Sequence, residues 1–188
     1  MPSSGKAEAQ GRSRRRRHFQ LLCELILFAM LGAVMFCSKI VMEALPNIHL
    51  VGVLTMVYTL VFRAKALIPI YLFVIVNGAF VGFSPWWIPY LYIWTILWGV
   101  TMLLPRSLSS RAGAIVYPIV CCLHGLFFGV LYAPVEAFLY GMNLQETLLW
   151  ILRGIPFDLL HFVGNLVGGM LVLPLTMVLR REVRRIYV

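Results

Sequence analysis

Six long apolar stretches, separated by short polar segments, make up most of the sequence. A helix rises about 1.5 Å per residue, so roughly 20 apolar residues are enough to cross a bilayer. The stretches therefore predict an all-α integral membrane protein, a bundle of six transmembrane helices. The second stretch is short for a span, and we expect its helix to be little tilted or to lie partly behind its neighbours. The predicted helices cover about residues 19–44, 48–62, 66–83, 86–104, 112–133 and 155–179.

Length and composition agree with a single membrane domain. The 188 residues are 61% hydrophobic and the mean hydropathy is +0.89, which is typical of an integral membrane protein and not of a soluble globule. The first apolar stretch is too long for the core of a signal peptide, so we expect it to be retained. The chain divides into a basic, disordered tail at 1–18, a membrane domain at 19–180 and a second basic tail at 181–188.

The basic residues are distributed unevenly between the two sides of the predicted bundle. There are 16 Lys and Arg against 7 Asp and Glu, and 14 of the 16 fall on one side. The positive-inside rule places that side, and with it both terminal tails, in the cytoplasm. A run of arginines also suits a nucleic-acid arm, but its position against the first apolar stretch favours anionic lipid and no nucleic acid. The 14 residues are Lys6, Arg12, Arg14, Arg15, Arg16, Arg17, Arg63, Lys65, Arg106, Arg111, Arg180, Arg181, Arg184 and Arg185.

Three polar residues interrupt the last apolar stretch. Asp158, His161 and Asn165 are spaced i, i+3 and i+7, so they share one face of a helix. Because a titratable group costs free energy in lipid, we expect this face to point into the bundle or into a watery cavity. It could form the acid/base pair of an intramembrane enzyme, a two-ligand metal site or the polar part of a solute pocket. A structural partnership of Asp158 with Arg153 or with a helix N-terminus stays open as well.

Four further polar residues have simple structural interpretations. Lys39 and Glu43 are spaced i, i+4 and would neutralise one another. Glu24 lies shortly after the arginine run and would pair with it. His124, near the middle of the fifth predicted helix, is expected to be hydrogen-bonded inside the bundle, with ligand contact as the alternative.

The segments predicted on the outer side carry aromatic and leucine patterns. Residues 85–94, at the start of the fourth helix, are dense in Trp and Tyr. An interfacial aromatic belt and a ligand-stacking wall would look alike there. Between the fifth and sixth helices, leucines at 144, 148, 149 and 152 are spaced i, i+4, i+5 and i+8. This pattern predicts an amphipathic helix that lies on the outer surface or caps the bundle.

Pairs of small residues four apart occur in four of the predicted helices. Small residues let helix backbones approach closely in lipid, so the four pairs predict a tightly packed bundle. The alanine pair lies in the cytoplasmic half of the first helix, where a partner helix could dock instead. The pairs are Ala29/Ala33, Gly78/Gly82, Gly125/Gly129 and Gly164/Gly168.

Taken together, these features resemble the substrate-binding S components of energy-coupling factor (ECF) transporters. The resemblance extends over about residues 19–180 and is carried by the basic N-terminus, the Ala29-x-x-x-Ala33 spacing and the aromatic start of the fourth helix. Within the family, the chain is most similar to the S components assigned to cobalamin-type corrinoids. Two further motifs carry the resemblance, Leu45-Pro46-Asn47-Ile48-His49 and Pro156-x-Asp158-x-x-His161-x-x-x-Asn165.

The resemblance implies a solute-capture subunit in a prokaryotic plasma membrane, with no enzymatic activity of its own and no cofactor or metal. Such a subunit binds a vitamin-like solute, here first of all cobalamin or another corrinoid, at the extracellular face. It delivers the solute inward together with a membrane coupling protein and two cytoplasmic ATPases. The alternatives are an S component for another small vitamin or precursor, and an intramembrane enzyme that uses Asp158 and His161.

The family also implies positions for the two functional surfaces. Its pockets are built from the first outer loop and the outer halves of helices 4 to 6. An Ala-x-x-x-Ala pattern on helix 1 helps to dock the coupling protein, a role that falls here on Ala29 and Ala33. The implied substrate-binding residues are Asn47, His49, Trp86, Trp87, Tyr90, Tyr132, Asp158 and His161.

Overall fold

The computed structural model describes residues 4–45, 48–106 and 108–187, and within them all regular structure is helical. The all-α class predicted from the sequence is thereby confirmed. Two short 3-10 helices, Arg63–Ala66 and Pro85–Trp87, lie between the longer elements. The α-helices are α1 Ser4–Val41, α2 Val51–Phe62, α3 Leu67–Val81, α4 Tyr90–Leu103, α5 Ser110–Leu126, α6 Phe128–Tyr140, α7 Leu144–Gly169 and α8 Val172–Tyr187.

Four helical stretches are long and apolar enough to cross a membrane, and by length and composition they indicate a membrane protein. Two of the four are interrupted. The second changes direction at Arg63, whose backbone φ is 56°, and the third is broken at Phe127, between α5 and α6. The four stretches are Arg17–Val41, Val51–Val81, Ser110–Tyr140 and Leu144–Gly169.

The short helix α2 is deeply buried. Every residue from 51 to 60 is buried, because α2 is apolar all round and packs against α1, α4, α5, α7 and α8. The rings of Phe28 and Phe62 meet edge to face with centroids 5.2 Å apart. Farther along α1, the Tyr58 hydroxyl donates to the Leu31 carbonyl at 2.9 Å. These contacts make α2 antiparallel to α1, and they agree with the expectation that the second helix lies behind its neighbours.

Helix α3 returns along α1 in the opposite direction to α2. Near the turn at Arg63, the Lys65 Nζ atom lies 2.6 Å from Glu24 Oε1. Farther along both helices, the rings of Phe36 and Phe80 are 5.3 Å apart. The contacts advance along α1 and α3 together, so these two helices are parallel. Among the described side chains Glu24 pairs with Lys65, which replaces the predicted pairing of Glu24 with the arginine run.

Helices α5 and α7 form an antiparallel pair that is packed through glycine. A Cβ atom on Gly125 would lie 2.8 Å from the His161 carbonyl oxygen, and one on Gly169 would lie 2.7 Å from Pro118 Cα. Side chains cannot approach backbone that closely, so both positions need glycine to keep the helices in contact. For Gly125 this agrees with the close packing predicted from the small-residue spacing.

The two ends of the bundle differ in their side chains. We call one the basic end: it holds the turn at Arg63, the α4–α5 connection and the second half of α8. We call the other the aromatic end: it holds the last turn of α1, the Pro85–Trp87 helix and the first half of α7. Each end contains a cavity.

Helix α1 extends further toward the N-terminus than the sequence predicts. Residues 4–18, predicted to be disordered, continue α1 as helix. Starting a helix is costly, but adding residues to an existing one is not, and α1 can therefore carry a polar extension.

The last two predicted elements are connected differently from the prediction. Residues 143–152, predicted as a separate amphipathic helix, are the first part of α7, which begins with a capping box at Asn143. The predicted helix 155–179 is divided near Met170. Pro174 has no N–H to donate to the Met170 carbonyl, which favours a new helix with the proline in its first turn.

Candidate functional site

A cavity of about 280 Å³ lies at the aromatic end, between the end of α1 and helices α4, α6 and α7. Its wall combines aromatic rings, two histidines and one side chain of each charge. We call it the aromatic cavity. The residues that line it are Lys39, Met42, Glu43, Leu45, Ile48, His49, Trp86, Tyr90, Phe128, Tyr132 and His161.

Five of the eight predicted substrate-binding residues meet at the aromatic cavity. They come from separate segments, and the Tyr132 hydroxyl fixes two of these together by donating to the Trp86 carbonyl at 2.8 Å. Their role in solute binding remains a prediction. The five are His49, Trp86, Tyr90, Tyr132 and His161.

Trp87 faces away from the aromatic cavity, unlike its neighbour in the chain. Its Nε1 donates to the Val74 carbonyl at 2.8 Å, and its ring meets Phe83 edge to face at 5.0 Å. Because its N–H is bonded and its ring is packed, Trp87 serves to hold α3 and the Pro85–Trp87 helix together. Another predicted residue, Asn47, lies outside the described residues.

Asp158 also lies outside the aromatic cavity. Its Oδ1 atom accepts a hydrogen bond from the Gly129 N–H at 3.0 Å. Gly129 is the second residue of α6, and the first N–H groups of a helix have no partner within that helix. The carboxylate therefore caps α6 and stabilises the break at Phe127. Asp158 lines a second cavity, of about 260 Å³, and no hydrogen bond within the described part of the chain joins it to His161.

Trp94 lies beneath the aromatic cavity and organises the rings around it. It is 1% exposed, with ring centroids 5.5 Å from Tyr90 and 5.9 Å from His49. On its other side the Phe128 ring lies at 6.1 Å, and Phe128 in turn contacts His161 at 4.6 Å. Offset and edge-to-face contacts of this kind hold rings in fixed orientations. The wall of the cavity is therefore a connected aromatic assembly.

Several ring nitrogens of this assembly have no hydrogen-bond partner. Among the described residues, none bonds to the Nδ1 atoms of His49, His124 and His161 or to Trp94 Nε1. Buried polar atoms are almost always paired, because an unpaired one costs about 1–3 kcal/mol. His161 is 5% exposed and sits in the cavity wall. The assembly thus keeps several polar ring atoms buried without a partner among the described residues, and two of these atoms belong to His49 and His161, which line the cavity.

His49 is neutral at physiological pH. Burial, reinforced by the positive charge of Lys39, lowers the pKa of His49 from 6.5 to about 4. A neutral imidazole has one N–H donor and one acceptor nitrogen. Its ring centroid lies 5.5 Å from that of His161, and the two imidazoles meet edge to face in the cavity wall.

Lys39 and Glu43 form part of the cavity wall instead of an ion pair. Both line the cavity, and the ion pairs found among the described side chains do not include them. The prediction that they neutralise one another is therefore wrong. Glu43 belongs to the turn that follows α1, where the helical spacing that would bring the two side chains together no longer applies.

The predictions for His124 and for the alanine pair can be compared with the structure directly. His124 Nε2 lies 3.2 Å from the Ile93 carbonyl oxygen, which confirms the predicted hydrogen bond inside the bundle. Ala29 and Ala33 are exposed on the outer face of α1. They are thus available to a partner helix or to lipid, and they do not pack the bundle itself.

The sequence analysis missed some of the cavity residues. Lys39 and Glu43 carried a usable signal, since two charges at the end of an apolar helix are unusual. Phe128 carried none, because one more aromatic residue in an apolar stretch is indistinguishable from core. Within the described residues, no group of three His, Cys, Asp or Glu side chains is arranged to hold a metal ion.

Comparisons with protein-family models, with curated proteins and with solved structures found no match to this chain. The ECF assignment therefore remains a prediction from sequence motifs. The geometry of the aromatic cavity is the observation that bears on function.

Proposed function

We propose that this protein is the solute-capture subunit of an ECF-type vitamin importer in a prokaryotic plasma membrane. It binds a small vitamin-like solute in the aromatic cavity at the extracellular face. A membrane coupling protein and two cytoplasmic ATPases then drive delivery to the inside. The observation that carries the proposal is the set of buried, unpaired ring nitrogens around a preformed cavity.

The chemistry of the cavity indicates the kind of solute. Aromatic rings favour a planar molecule, and the free nitrogens of His49 and His161 favour one with hydrogen-bonding atoms at its edge. Lys39 and Glu43 at the wall suit a solute that carries polar or charged substituents. The volume of about 280 Å³ lies near the lower end of the range of drug-sized pockets, roughly 300–1,000 Å³. A corrinoid is larger than that class, so the cavity favours a smaller vitamin or precursor over cobalamin.

The proposed topology has six spans and both termini in the cytoplasm. The alternation of α1, α2, α3 and α4 along the bundle and the cations gathered at the basic end support it. Single-cysteine labelling, in a background without the four native cysteines, tests it at Lys65 and Glu136. We expect the two positions to be labelled from opposite sides of the membrane. Labelling of both from the same side would contradict the model of six spans.

We propose Ala29 and Ala33 as part of the surface that docks the coupling protein. Both are exposed on α1, and a small-residue face allows another helix to approach closely in lipid. Replacing both with leucine should therefore abolish transport by the assembled complex while solute binding by the single subunit is kept. Loss of binding together with transport would place the alanines in the fold instead.

Native mass spectrometry of the purified protein tests solute capture. We expect a retained small molecule, displaced when aromatic vitamins or their precursors are added, and uptake into cells only when the ATPase partners are present. Turnover of a substrate by the isolated chain would instead favour an intramembrane enzyme. The geometry gives that alternative little support, because the Asp158 carboxylate is engaged by the Gly129 N–H.

A further inference from the structure

We propose that the basic end contains a binding site for the phosphate group of an anionic phospholipid. The site is a cavity of about 540 Å³ between the α2–α3 turn, the α4–α5 connection and α8, which we call the basic cavity. It lies at the opposite end of the bundle from the aromatic cavity. The proposal is independent of solute capture. The proposed topology adds only that the basic end faces the cytoplasm, so that the lipid would belong to the inner leaflet.

Cations from three separate segments converge on the basic cavity. The positive-inside rule calls for cations on one side of a membrane protein, but it does not require them to meet at one cavity. The residues that line this cavity, all within the described ranges, include no carboxylate. Like charges held together repel one another, so a bound anion would offset the repulsion. The five cations are Arg63, Lys65, Arg106, Arg180 and Arg184. Lys65 is already paired with Glu24, so the repulsion that an anion would offset is the one among the four arginines.

Two of the guanidinium groups are held in place by backbone carbonyls. Arg180 Nη2 donates to the carbonyls of Leu60, at 3.0 Å, and of Arg106, at 2.5 Å. Arg63 Nη2 donates to the Met102 carbonyl at 2.5 Å. These bonds position both side chains without cancelling their charge, and a guanidinium has five N–H donors. Each arginine therefore keeps donors for a ligand.

The backbone conformation of Arg63 supports a functional role. Its φ of 56° lies in the left-handed region that favours glycine. Strained positions persist where the surrounding structure fixes them, and they cluster at functional sites. Here the turn directs the Arg63 side chain toward the end of α4, at the edge of the basic cavity.

Part of the cavity lining is apolar, which favours a lipid over other anions. Leu60, Val61 and Phe62 form this part, next to the cations. A phospholipid joins an anionic headgroup to acyl chains, so it can contact both kinds of lining at once, whereas free phosphate or an acidic peptide contacts one. Arginine forks match the oxygens of a phosphate group, and basic pockets between membrane helices are known headgroup sites.

The experiment is native mass spectrometry of the full chain in micelles that contain phosphatidylglycerol or phosphatidylcholine. We expect preferential retention of one phosphatidylglycerol. The double variant R106Q/R184Q should weaken its apparent affinity by roughly tenfold to thirtyfold, on the usual contribution of a cation near a membrane surface. Neither of these side chains makes a hydrogen bond within the described residues, so the fold should survive, and thermal unfolding checks this.

Two control variants distinguish an effect of the cavity on lipid binding from an effect of the overall charge. R111Q/R181Q removes the same two charges from exposed positions that do not line the cavity and should leave lipid binding nearly unchanged. R106K/R184K keeps the charge and should retain most of the binding. Equal loss in both glutamine variants, or equal retention of the two lipids by the native chain, would overturn the proposal.

Competitors distinguish the source of the phosphate group. Displacement of phosphatidylglycerol by high inorganic phosphate would support a shared phosphate site. Binding of inorganic phosphate without any preference for phosphatidylglycerol would overturn the assignment to lipid. Displacement by polyglutamate but not by phosphate would make the cavity a protein-docking surface, and the proposal would be wrong.

Discussion

The two cavities at opposite ends of the bundle use their polar groups in opposite ways. At the aromatic end, ring nitrogens such as those of His161 and Trp94 are buried without partners among the described residues. At the basic end, the guanidinium groups of Arg63 and Arg180 already donate to backbone carbonyls. A buried unpaired group costs about 1–3 kcal/mol, whereas these carbonyl bonds stabilise the fold. The aromatic end thus carries a cost in stability that the basic end does not.

The two ends also differ in charge, and therefore in the kind of recognition that they permit. At the aromatic cavity His49 is neutral because burial lowers its pKa to about 4, and the wall carries one cation and one anion, Lys39 and Glu43, whose charges sum to zero. The basic cavity attracts any suitable anion through Coulomb forces, which salt weakens. Binding at the aromatic end should accordingly depend little on ionic strength, and binding at the basic end should depend on it strongly.

The substitution Gly125→Ala should have the largest effect, because it separates the helices that support the aromatic end. The new Cβ atom would lie 2.7 Å from Asn165 Nδ2 and 2.8 Å from the His161 carbonyl oxygen. Overpacking of this kind costs typically 1–3 kcal/mol, and it also displaces His161. We expect a lower melting temperature and loss of solute binding, with lipid binding at the basic end retained.

The matched control for this substitution is Gly99→Ala. A Cβ atom at Gly99 would have nothing within 4 Å, and both positions lie inside helices. Stability and solute binding should therefore be kept. Equal melting temperatures for the Gly125 and Gly99 variants would show that α5 and α7 tolerate separation.

The next largest effects should distinguish His161 from Asp158. His161→Ala removes an unpaired nitrogen from the cavity wall, and should weaken solute binding by roughly tenfold to a hundredfold with little change in stability. Asp158→Ala removes the acceptor of the Gly129 N–H, and should lower the free energy of unfolding by about 1–3 kcal/mol with little change in affinity. Ligand titration and thermal unfolding of both variants measure the two effects. If Asp158→Ala kept its stability but lost affinity for the solute, this carboxylate would belong to the binding site.

Acidification should affect the aromatic end through His49. Between pH 6.5 and about 4 the unfolded chain carries a proton at this histidine that the folded protein lacks. Stability therefore falls as the pH is lowered through this window, and the contribution levels off below it. His49→Gln should flatten the dependence of melting temperature on pH. An unchanged slope in the variant would mean that other groups control the acid sensitivity.

The features that depend on local composition could be predicted from the sequence. Apolar runs predicted the all-α class. The shortness of the second apolar stretch, at about residues 48–62, predicted a helix that is little tilted or lies partly behind its neighbours, and α2 is buried among them. The spacing of Asp158, His161 and Asn165 predicted a buried polar face, and all three are buried. Each of these inferences needs only periodicity and the cost of placing polar groups in lipid.

The features that escaped prediction depend on contacts between distant residues. The break at Phe127 is stabilised by Asp158, which lies on α7 and reaches the start of α6. Trp86 and Trp87 are adjacent in the chain, yet one lines the cavity and the other packs against Phe83. The direction of neighbouring side chains in a short 3-10 helix follows from how that helix is anchored, which no local pattern reveals.

The smallest effect should come from Glu24→Gln at the basic end. The Glu24–Lys65 pair joins α1 to the Arg63–Ala66 helix over 2.6 Å, but the Lys65 side chain is 61% exposed. Exposed ion pairs contribute roughly 0–1 kcal/mol, which for a chain of this size is a change in melting temperature of at most about 4 °C. The change should shrink further in 1 M salt, where the screening length falls to roughly 3 Å. Glu43→Gln is the control at the aromatic end, since it removes the same charge from a residue that has no ion pair with any described side chain, and it should alter solute affinity more than stability. A loss of several kcal/mol for Glu24→Gln would mean that ion pairs, and not carbonyl contacts of the arginines, hold the basic end together.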